Sequence, residues 1–269
     1  MEPLPVIGLA LLGVLVGALG TLIGAGGGFL LLPLLVFIYP RESPALLTAI
    51  SLTVVFVNAF SGSVAYARMR RTDVRTGLVF AAAGLPGAIL GALTTRFLSH
   101  RIFDPLLGGV LVLSAGFVLL RPPLEQTTSP SQRTRTLVER DGTVHVYSPR
   151  VGLGALLSLG VGFVSSLLGI GGGIIHVPLM VYLLRFPTHV ATATSHFILA
   201  ILALTAVLVH AATGGLGPAL GRILPLAAGV LVGAQIGAWL SSRIHGRWIM
   251  ISLALALGSV GVRLLFFTR

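Results

Sequence analysis

Apolar runs long enough to cross a lipid bilayer recur along almost the whole chain, and this recurrence constrains the fold more than any other feature. A transmembrane helix needs about 20 mainly apolar residues. Only 9% of the 269 residues are charged, against roughly 25% in a typical soluble domain. So little charge cannot cover a water-soluble globule of this size. The sequence therefore predicts an all-α polytopic membrane protein with the lipid bilayer as its main partner.

We count ten apolar segments, at about 4–22, 24–39, 44–66, 77–95, 102–120, 151–168, 170–186, 190–211, 221–242 and 247–267. The first is interpreted as a span and not as a signal peptide, because no basic stretch precedes it and no clear cleavage site follows. The long polar stretch 121–150 separates the ten segments into two groups of five. Within it, residues 138–146 alternate around an Asp-Gly pair, which predicts a small hairpin.

The two groups of segments are copies of one repeat. Three blocks recur in the same order at a nearly constant spacing of 144 to 146 residues: 24–34 return at 169–179, 49–51 at 193–195, and 87–92 at 233–238. Such spacing is improbable by chance. We therefore predict a first transmembrane repeat over 1–120, a linker over 121–150 and a second repeat over 151–269.

The distribution of arginine predicts opposite orientations for the two repeats. All 18 basic residues are arginine, and Arg68, Arg70, Arg71 and Arg75 lie in the loop after the third segment. The corresponding loop of the second repeat, 212–221, has no charge. Because cytoplasmic loops are enriched in arginine, these two loops are expected on opposite sides of the plasma membrane. The prediction is two inverted five-helix repeats with ten spans, a cytoplasmic linker and both termini outside, as in many secondary transporters.

Each repeat carries a run of three glycines beside an apolar segment. They are Gly26, Gly27 and Gly28 in the first repeat, and Gly171, Gly172 and Gly173 in the second. Glycine costs about 1 kcal/mol per residue inside a helix, so these runs should break it. The half-helix that follows presents free N–H groups and a positive dipole end, which favour an anion. Symmetry would bring both breaks to the membrane midplane as a substrate site.

Close helix packing is the alternative role for these glycines, because small residues let membrane helices approach each other. We assign that role to the isolated GxxxG patterns Gly13–Gly17 and Gly233–Gly237.

Acidic residues are absent from the middle of every span, since all seven Asp and Glu lie at termini, loops or helix ends. Cation transporters usually place a carboxylate there, so an anionic or neutral substrate is favoured. The chain has no cysteine, which excludes disulfides and thiolate chemistry. Its net charge of +11 lies in loops between spans and not on a surface for nucleic acid. We predict no metal, no cofactor and no nucleic-acid partner.

Polar side chains inside the spans are the other candidates for a substrate site. The hydroxyl and amide candidates are Ser51, Thr194, Ser195 and Gln235, and the two serines correspond between repeats. His196 and His176 are candidates for proton coupling, because imidazole titrates near neutral pH. A neutral histidine that bonds two helices is the alternative for each of them.

The doubled Gly-x-Gly-Gly-Gly-x4-Pro-Leu block, the serine after it and the run Gly233–Ala238 resemble the TauE/SafE family of sulfite and organosulfonate exporters. The resemblance covers nearly the full chain. It implies export of a small sulfur-containing oxyanion, driven by the proton gradient. The family often has a histidine near the end of the third helix; Tyr66 stands in that region here, whereas the second repeat has His210.

Two other functions stay open beside a transporter. An anion channel can share the inverted plan, and its flux would not saturate readily. An intramembrane hydrolase would need Ser61 to pair with His210 from another span. The repeats favour the transporter, and we expect no enzyme activity.

Overall fold

The computed structural model describes residues 5–120, 134–214 and 216–267, and nearly all of their regular structure is helical. The first half contains α1 (Val6–Ile23), α2 (Gly28–Ile38), α3 (Pro44–Arg68), α4 (Val74–Thr95) and α5 (His100–Leu120). Residues 121–133 of the predicted linker lie outside the described residues. The rest of that linker forms the hairpin β1 (Arg135–Val138) and β2 (Val144–Tyr147), which confirms the hairpin prediction.

The second half repeats the order of the first. It contains α6 (Val151–Leu168), α7 (Gly173–Pro178) with a π-helical continuation (Leu179–Leu183), α8 (Thr188–Ala212), α9 (Leu220–Ser241) after a 3₁₀ turn (Gly217–Ala219), and α10 (Gly246–Phe267). These bounds agree closely with the ten apolar segments. The all-α polytopic membrane fold is confirmed.

Two of the ten helical elements are too short to cross a bilayer alone. Within the described residues, eight helices have the length and apolar character of membrane spans, whereas Gly28–Ile38 and Gly173–Leu183 do not. Each short element has 11 residues and is about 16 Å long at 1.5 Å per residue. The hydrocarbon core is about 30 Å thick.

Helix α2 folds back along α1. A Cβ atom on Gly27, just before α2, would lie 2.6 Å from the side chain of Val16 in α1. The ring of Tyr39, just after α2, stacks under the guanidinium of Arg222 at the start of α9, with 4.1 Å between that group and the ring centre. The first turns of α1 also pack on the N-terminal half of α9. The α1–α2 pair therefore enters and leaves at the same end of the helix bundle.

Helices α6 and α7 form the equivalent pair at the other end. Gly154, in the first turn of α6, packs against Leu184, which follows the π-helical turn. We call this end, which also carries the hairpin and the α3–α4 loop, the linker face, and the other end the opposite face. Ten full crossings are not confirmed, because each short helix returns to the face from which its partner entered. The predicted sides of loops and termini are unaffected, since a re-entrant pair and a double crossing both return the chain to its starting side.

The two halves pack together through two equivalent helix pairs, and each pair contains one helix from each half. Helix α1 packs mainly on α9, and its counterpart α6 packs mainly on α4. Glycines allow this: Gly233 and Gly237 lie against backbone carbonyls of α1, and Gly13 and Gly17 lie against the backbone of α9. The packing role predicted for these GxxxG patterns is confirmed.

Counterpart helices of the two halves run in opposite directions. Helix α4 is parallel to α8, because Gly77 contacts Phe197 and Gly84 contacts Leu202 further along. Helix α3 joins α4 through the short turn 69–73 and is antiparallel to it. Therefore α3 and its counterpart α8 are antiparallel, as an inverted repeat requires.

Buried ion pairs fasten the hairpin to the α3–α4 loop. Arg71 donates two hydrogen bonds to one carboxylate oxygen of Glu139, at 2.8 and 2.6 Å, and both residues are buried. Arg135 and Tyr147 donate to the carboxylate of Asp73 at 2.8 and 3.0 Å. The hairpin is therefore part of the linker face.

Asp73 stays ionised in this arrangement. Burial by itself would raise the pKa of Asp73, but hydrogen bonds from Thr76 and Tyr147 and the charge of Arg135 together lower it. The negative charge that orients Arg135 is therefore maintained at neutral pH.

We predict that the hairpin tip and the loop after α8 lie on opposite sides of the membrane. The chain has no cysteine, so Asp141→Cys and Thr213→Cys, both at exposed positions, introduce unique thiols. A membrane-impermeant maleimide added to intact cells should label Thr213→Cys at once and Asp141→Cys only after permeabilisation, because arginine-rich loops are retained inside. The unmodified chain, which has no thiol, is the control for background labelling. Labelling of both thiols from one side would contradict the inverted orientation.

Candidate functional site

Glycine makes both helix breaks possible because the chain needs left-handed backbone there. In the first break, Gly24, Gly26 and Gly27 have φ angles of 83°, 72° and 81°. In the second, Gly169 and Gly171 have φ angles of 64° and 73°. Residues with a Cβ atom rarely adopt these values. We call residues 24–28 and 169–173 the first and second glycine turns.

The two glycine turns contact each other directly. A Cβ atom on Gly28 would lie 2.5 Å from the carbonyl oxygen of Ile170. A Cβ atom on Gly173 would lie 2.5 Å from Cα of Ala25 and would also collide with the carbonyl of Gly24. The structure thus brings together the glycine runs of both repeats, at a distance that side chains would prevent.

The contact lies at half the depth of the bundle. Val55 and Leu199 both face Gly26 and Gly171. Val55 and Leu199 occupy the same position near the middle of the 25-residue helices α3 and α8. If these two helices span the bilayer, the glycine turns lie near its centre.

Two positive helix ends converge at this point. Helices α2 and α7 begin at the turns, and neither N-cap residue, Gly27 or Gly172, has a side-chain hydrogen bond to cap the helix. The first N–H groups of a helix have no partner within it. In a bilayer interior such groups must be satisfied by protein, trapped water or a ligand. The turns therefore offer hydrogen-bond donors and positive potential to an anion.

Ser51 and Ser195 join each long helix to the glycine turn of the other half. The hydroxyl of Ser51 donates to the carbonyl of Gly169 at 2.6 Å, and that of Ser195 donates to the carbonyl of Gly24 at 3.2 Å. The correspondence seen in the sequence is therefore a pair of equivalent hydrogen bonds. In this conformation both hydroxyl groups donate their protons to backbone carbonyls of the protein.

Thr194 and Gln235 lie away from the turns, so they do not join the predicted site. Thr194 accepts the backbone N–H of Asp73 at 3.0 Å and anchors the α3–α4 loop. Gln235 donates to the hydroxyl and carbonyl of Ser61, at 2.8 and 3.1 Å, and joins α9 to α3. Consecutive residues of a helix point about 100° apart, so Thr194 cannot share the direction of Ser195.

His196 belongs to a buried polar network beside the first glycine turn. Its Nε2 atom lies 3.2 Å from the hydroxyl of Thr21, which donates to Oδ1 of Asn58 at 3.0 Å. Tyr66 donates to the carbonyl of Thr21 at 2.7 Å. Within the described residues, Nδ1 of His196 and Nδ2 of Asn58 are buried without a partner. No local pattern indicates that Thr21 links these side chains, because single threonines are common in apolar helices.

His176 occupies the other re-entrant pair. Its Nε2 atom lies 3.1 Å from the hydroxyl of Ser158 in α6. A Cβ atom on Gly172 would lie 3.2 Å from its Nδ1 atom, so the ring adjoins the second glycine turn. His196 is therefore next to the first glycine turn and His176 is next to the second.

The Ser–His pair of a hydrolase does not form. Ser61 lies in the half of α3 nearer the linker face. Its hydroxyl donates to the carbonyl of Leu231 in α9 at 3.3 Å. His210 lies in the last turn of α8, which is at the opposite face because α8 is antiparallel to α3. The structure gives Ser61 a packing role.

Comparisons with known proteins agree with a transport function. The family model described as "Sulfite exporter TauE/SafE" matches residues 9–264. The "Probable membrane transporter protein YunE" of Bacillus subtilis is 28% identical over 96% of this chain and 96% of its own length. A "Probable membrane transporter protein" of Xylella fastidiosa is 30% identical over 68% of this chain and 65% of its own. No solved structure matches the chain.

The contact between the turns predicts a large difference between two glycine substitutions. Gly173→Ala would force the turns apart and should lower the free energy of unfolding by about 1–3 kcal/mol, as overpacking does. Gly160→Ala in α6, where a Cβ atom meets nothing within 4 Å, is the matched control and should not lower the free energy of unfolding, because alanine is the better helix former. Thermal midpoints of the two variants in detergent give the comparison. Equal midpoints would mean that the turns are not packed as described.

Proposed function

This chain belongs to the TauE/SafE sulfite exporter family and is a multi-pass membrane protein, and we propose that it is a secondary transporter of a small sulfur-containing oxyanion. Sulfite and organosulfonates are the substrate classes, and export is the direction of net flux. The meeting of two uncapped half-helix N-termini at mid-depth is the observation that carries the proposal. The names of the relatives, which call them membrane transporters, support transport over enzyme activity.

Backbone donors suit a carrier that must release its substrate. The chain has no lysine, and its arginines lie outside the middle of the spans. A fixed cation at mid-depth would hold an anion tightly and slow its release. A helix N-terminus contributes roughly 0.3–1 kcal/mol to the binding of a negative group, and up to about 2 kcal/mol when partly buried. Two such ends, with the oxygens of Ser51 and Ser195 beside them, form the proposed site.

The re-entrant pairs supply a mechanism for access. In the described conformation the glycine turns are in contact, so the anion binds as the turns separate and their N–H groups become free. The α1–α2 pair comes from the opposite face and the α6–α7 pair from the linker face. Movement of one pair at a time would open the site to one side only, which is alternating access. The contact between the turns also argues against a permanently open channel.

Histidine supplies the proposed coupling to protons. A protonated His196 would place one positive charge beside the first glycine turn, and His176 is the second candidate beside the other turn. An anion would bind more tightly when the histidine is charged, and by linkage it would favour protonation. Proton and anion occupancy are then coupled without a carboxylate.

The linker face is proposed to be cytoplasmic in the plasma membrane, with both termini outside. Among the described residues, the arginines of the α3–α4 loop and of the hairpin all lie at this face. Cytoplasmic loops carry such an excess of arginine.

Uptake into proteoliposomes tests the function. We expect saturable uptake of sulfite or a sulfonate in a panel with sulfate, thiosulfate, sulfoacetate, taurine and acetate, and a larger rate with a pH gradient. In Gly172→Ala, the added methyl group fits with small shifts, 3.2 Å from His176 and Val161. It partly covers the N-terminus of α7 and should reduce uptake at least tenfold. Gly160→Ala is the control. Absence of saturable flux for every sulfur anion would refute the proposal.

Replacement of His196 tests the coupling. Substrate affinity should fall as pH rises through the range in which His196 loses its proton, because the imidazole then loses its charge. A sulfonate is the appropriate substrate, since its own charge is constant over this range. His196→Gln should remove most of the pH dependence, and His176→Gln is the parallel variant. If the pH profile of the His196→Gln variant matches that of the unmodified protein, His196 has no part in the coupling.

A further inference from the structure

A second polar region lies at the linker face, between the C-terminal ends of α3 and α9 and the hairpin tip. It is a cavity of about 550 Å³, large enough for a hydrated oxyanion. The charged side chains along its wall are those of Arg68, Arg71, Glu139, Arg140 and Asp141. None of them belongs to the glycine turns.

The charge of this cavity is positive, because two of its arginines have no carboxylate partner in the part of the chain that the structure describes. Arg71 is committed to Glu139, and that pair is neutral. Within residues 5–120, 134–214 and 216–267, no ion pair involves Arg68 or Arg140. Asp141 is the remaining negative group, and its carboxylate accepts the backbone N–H of Thr143 in its own turn. Beside the Arg71–Glu139 pair, the cavity wall therefore carries two positive guanidinium groups and one negative carboxylate.

The inner end of the cavity leads toward the first glycine turn. Gln235 lines the cavity and donates to Ser61. The next residue of α3 is Gly62, and a Cβ atom on it would lie 2.5 Å from the His196 ring and 3.0 Å from Thr21. Ser61 and Gly62 are therefore consecutive residues of α3 that contact Gln235 on one side and the buried polar network on the other. Polar groups thus follow one another from the linker face to the first glycine turn.

We infer that this cavity is a vestibule that captures the transported oxyanion at the linker face, with Arg68 and Arg140 as its anion-binding side chains. The inference rests on the proposed transport of an oxyanion. Guanidinium groups bind oxyanions through charge-assisted hydrogen bonds and raise their local concentration. Both arginines are exposed, so water and salt weaken their hold and the anion can move on. Gln235 and Ser61 form the neck between the vestibule and the first turn.

A tryptophan on the cavity wall provides a direct measurement. The chain has two tryptophans. Trp239 lines the cavity, is 52% exposed and lies under the guanidinium of Arg243, 4.0 Å from its ring centre, and Trp248 is 64% exposed on α10. In Trp248→Phe all tryptophan fluorescence comes from Trp239. Titration of the full-length protein in detergent with sulfate or methanesulfonate should give a saturable change in that fluorescence. The apparent affinity should weaken as ionic strength rises, because the arginines are solvent-exposed.

Two double-arginine variants distinguish anion binding in the vestibule from attraction by the general positive charge of the linker face. Arg68→Gln with Arg140→Gln should weaken the fluorescence response at least tenfold. The control removes two exposed arginines of the same face that do not line the cavity, Arg75→Gln with Arg150→Gln, and should keep the response. In proteoliposomes the first pair should raise KM for uptake and change kcat less than twofold. A structural role would instead lower both the yield and kcat.

The outcomes distinguish this inference from the proposed function. If Gly172→Ala loses uptake but keeps the Trp239 response, the vestibule is a separate site on the transport route. An absent Trp239 response, or an equal loss in both arginine pairs, would overturn the vestibule and leave the transport proposal intact. A response to phosphatidylglycerol in nanodiscs, with none to sulfate or methanesulfonate, would also overturn it and assign the cavity to a lipid headgroup.

Discussion

The contact between the two glycine turns determines the rest of this fold. A helix that breaks inside a bilayer exposes backbone groups that lipid cannot satisfy. Here each broken end is buried against the other, with Gly28 on the carbonyl of Ile170 and Gly173 on Gly24. Ser51 and Ser195 satisfy the carbonyls of Gly169 and Gly24 from the opposite half. Neither half can bury its break alone, so the two halves must intertwine.

The exchanged packing of the halves follows from that requirement. Helices α1 and α6 end at the glycine turns, and each is supported along its length by a full-length helix of the other half. Close approach along α1–α9 and α4–α6 depends on glycines such as Gly87 and Gly229, whose missing side chains leave room for backbone carbonyls. Close backbone contacts therefore form the frame around the turns, and the short helices α2 and α7 are buried within it.

The sequence predicted the helices well because apolar length and glycine are local signals. It could not distinguish a re-entrant pair from a double crossing, since both need two apolar segments around a glycine run. It also grouped Thr194 with Ser195, whereas adjacent residues of a helix face different partners. The docking of the hairpin through Arg71 and Glu139 had no local signal either, because 68 residues separate the two charges. The features that the sequence did not predict depend on the direction of side chains and on contacts between distant segments.

The symmetric frame carries asymmetric side chains, so the routes from the two faces to the glycine turns are not equivalent. The polar network and Gly62 lie on the linker side of the glycine turns. Three counterparts in the other half are apolar, since Leu202 corresponds to Asn58, Ala206 to Gly62 and Leu52 to His196. The counterparts of Thr21 and Tyr66 are Ser166 and His210, which are polar. An anion that approaches from the linker face meets an amide and an imidazole before the turns, whereas the opposite approach has leucine at both of these positions. For the proposed exporter, this difference affects how readily the site is reached from each face, whereas the gradients of the anion and of protons set the direction of net flux.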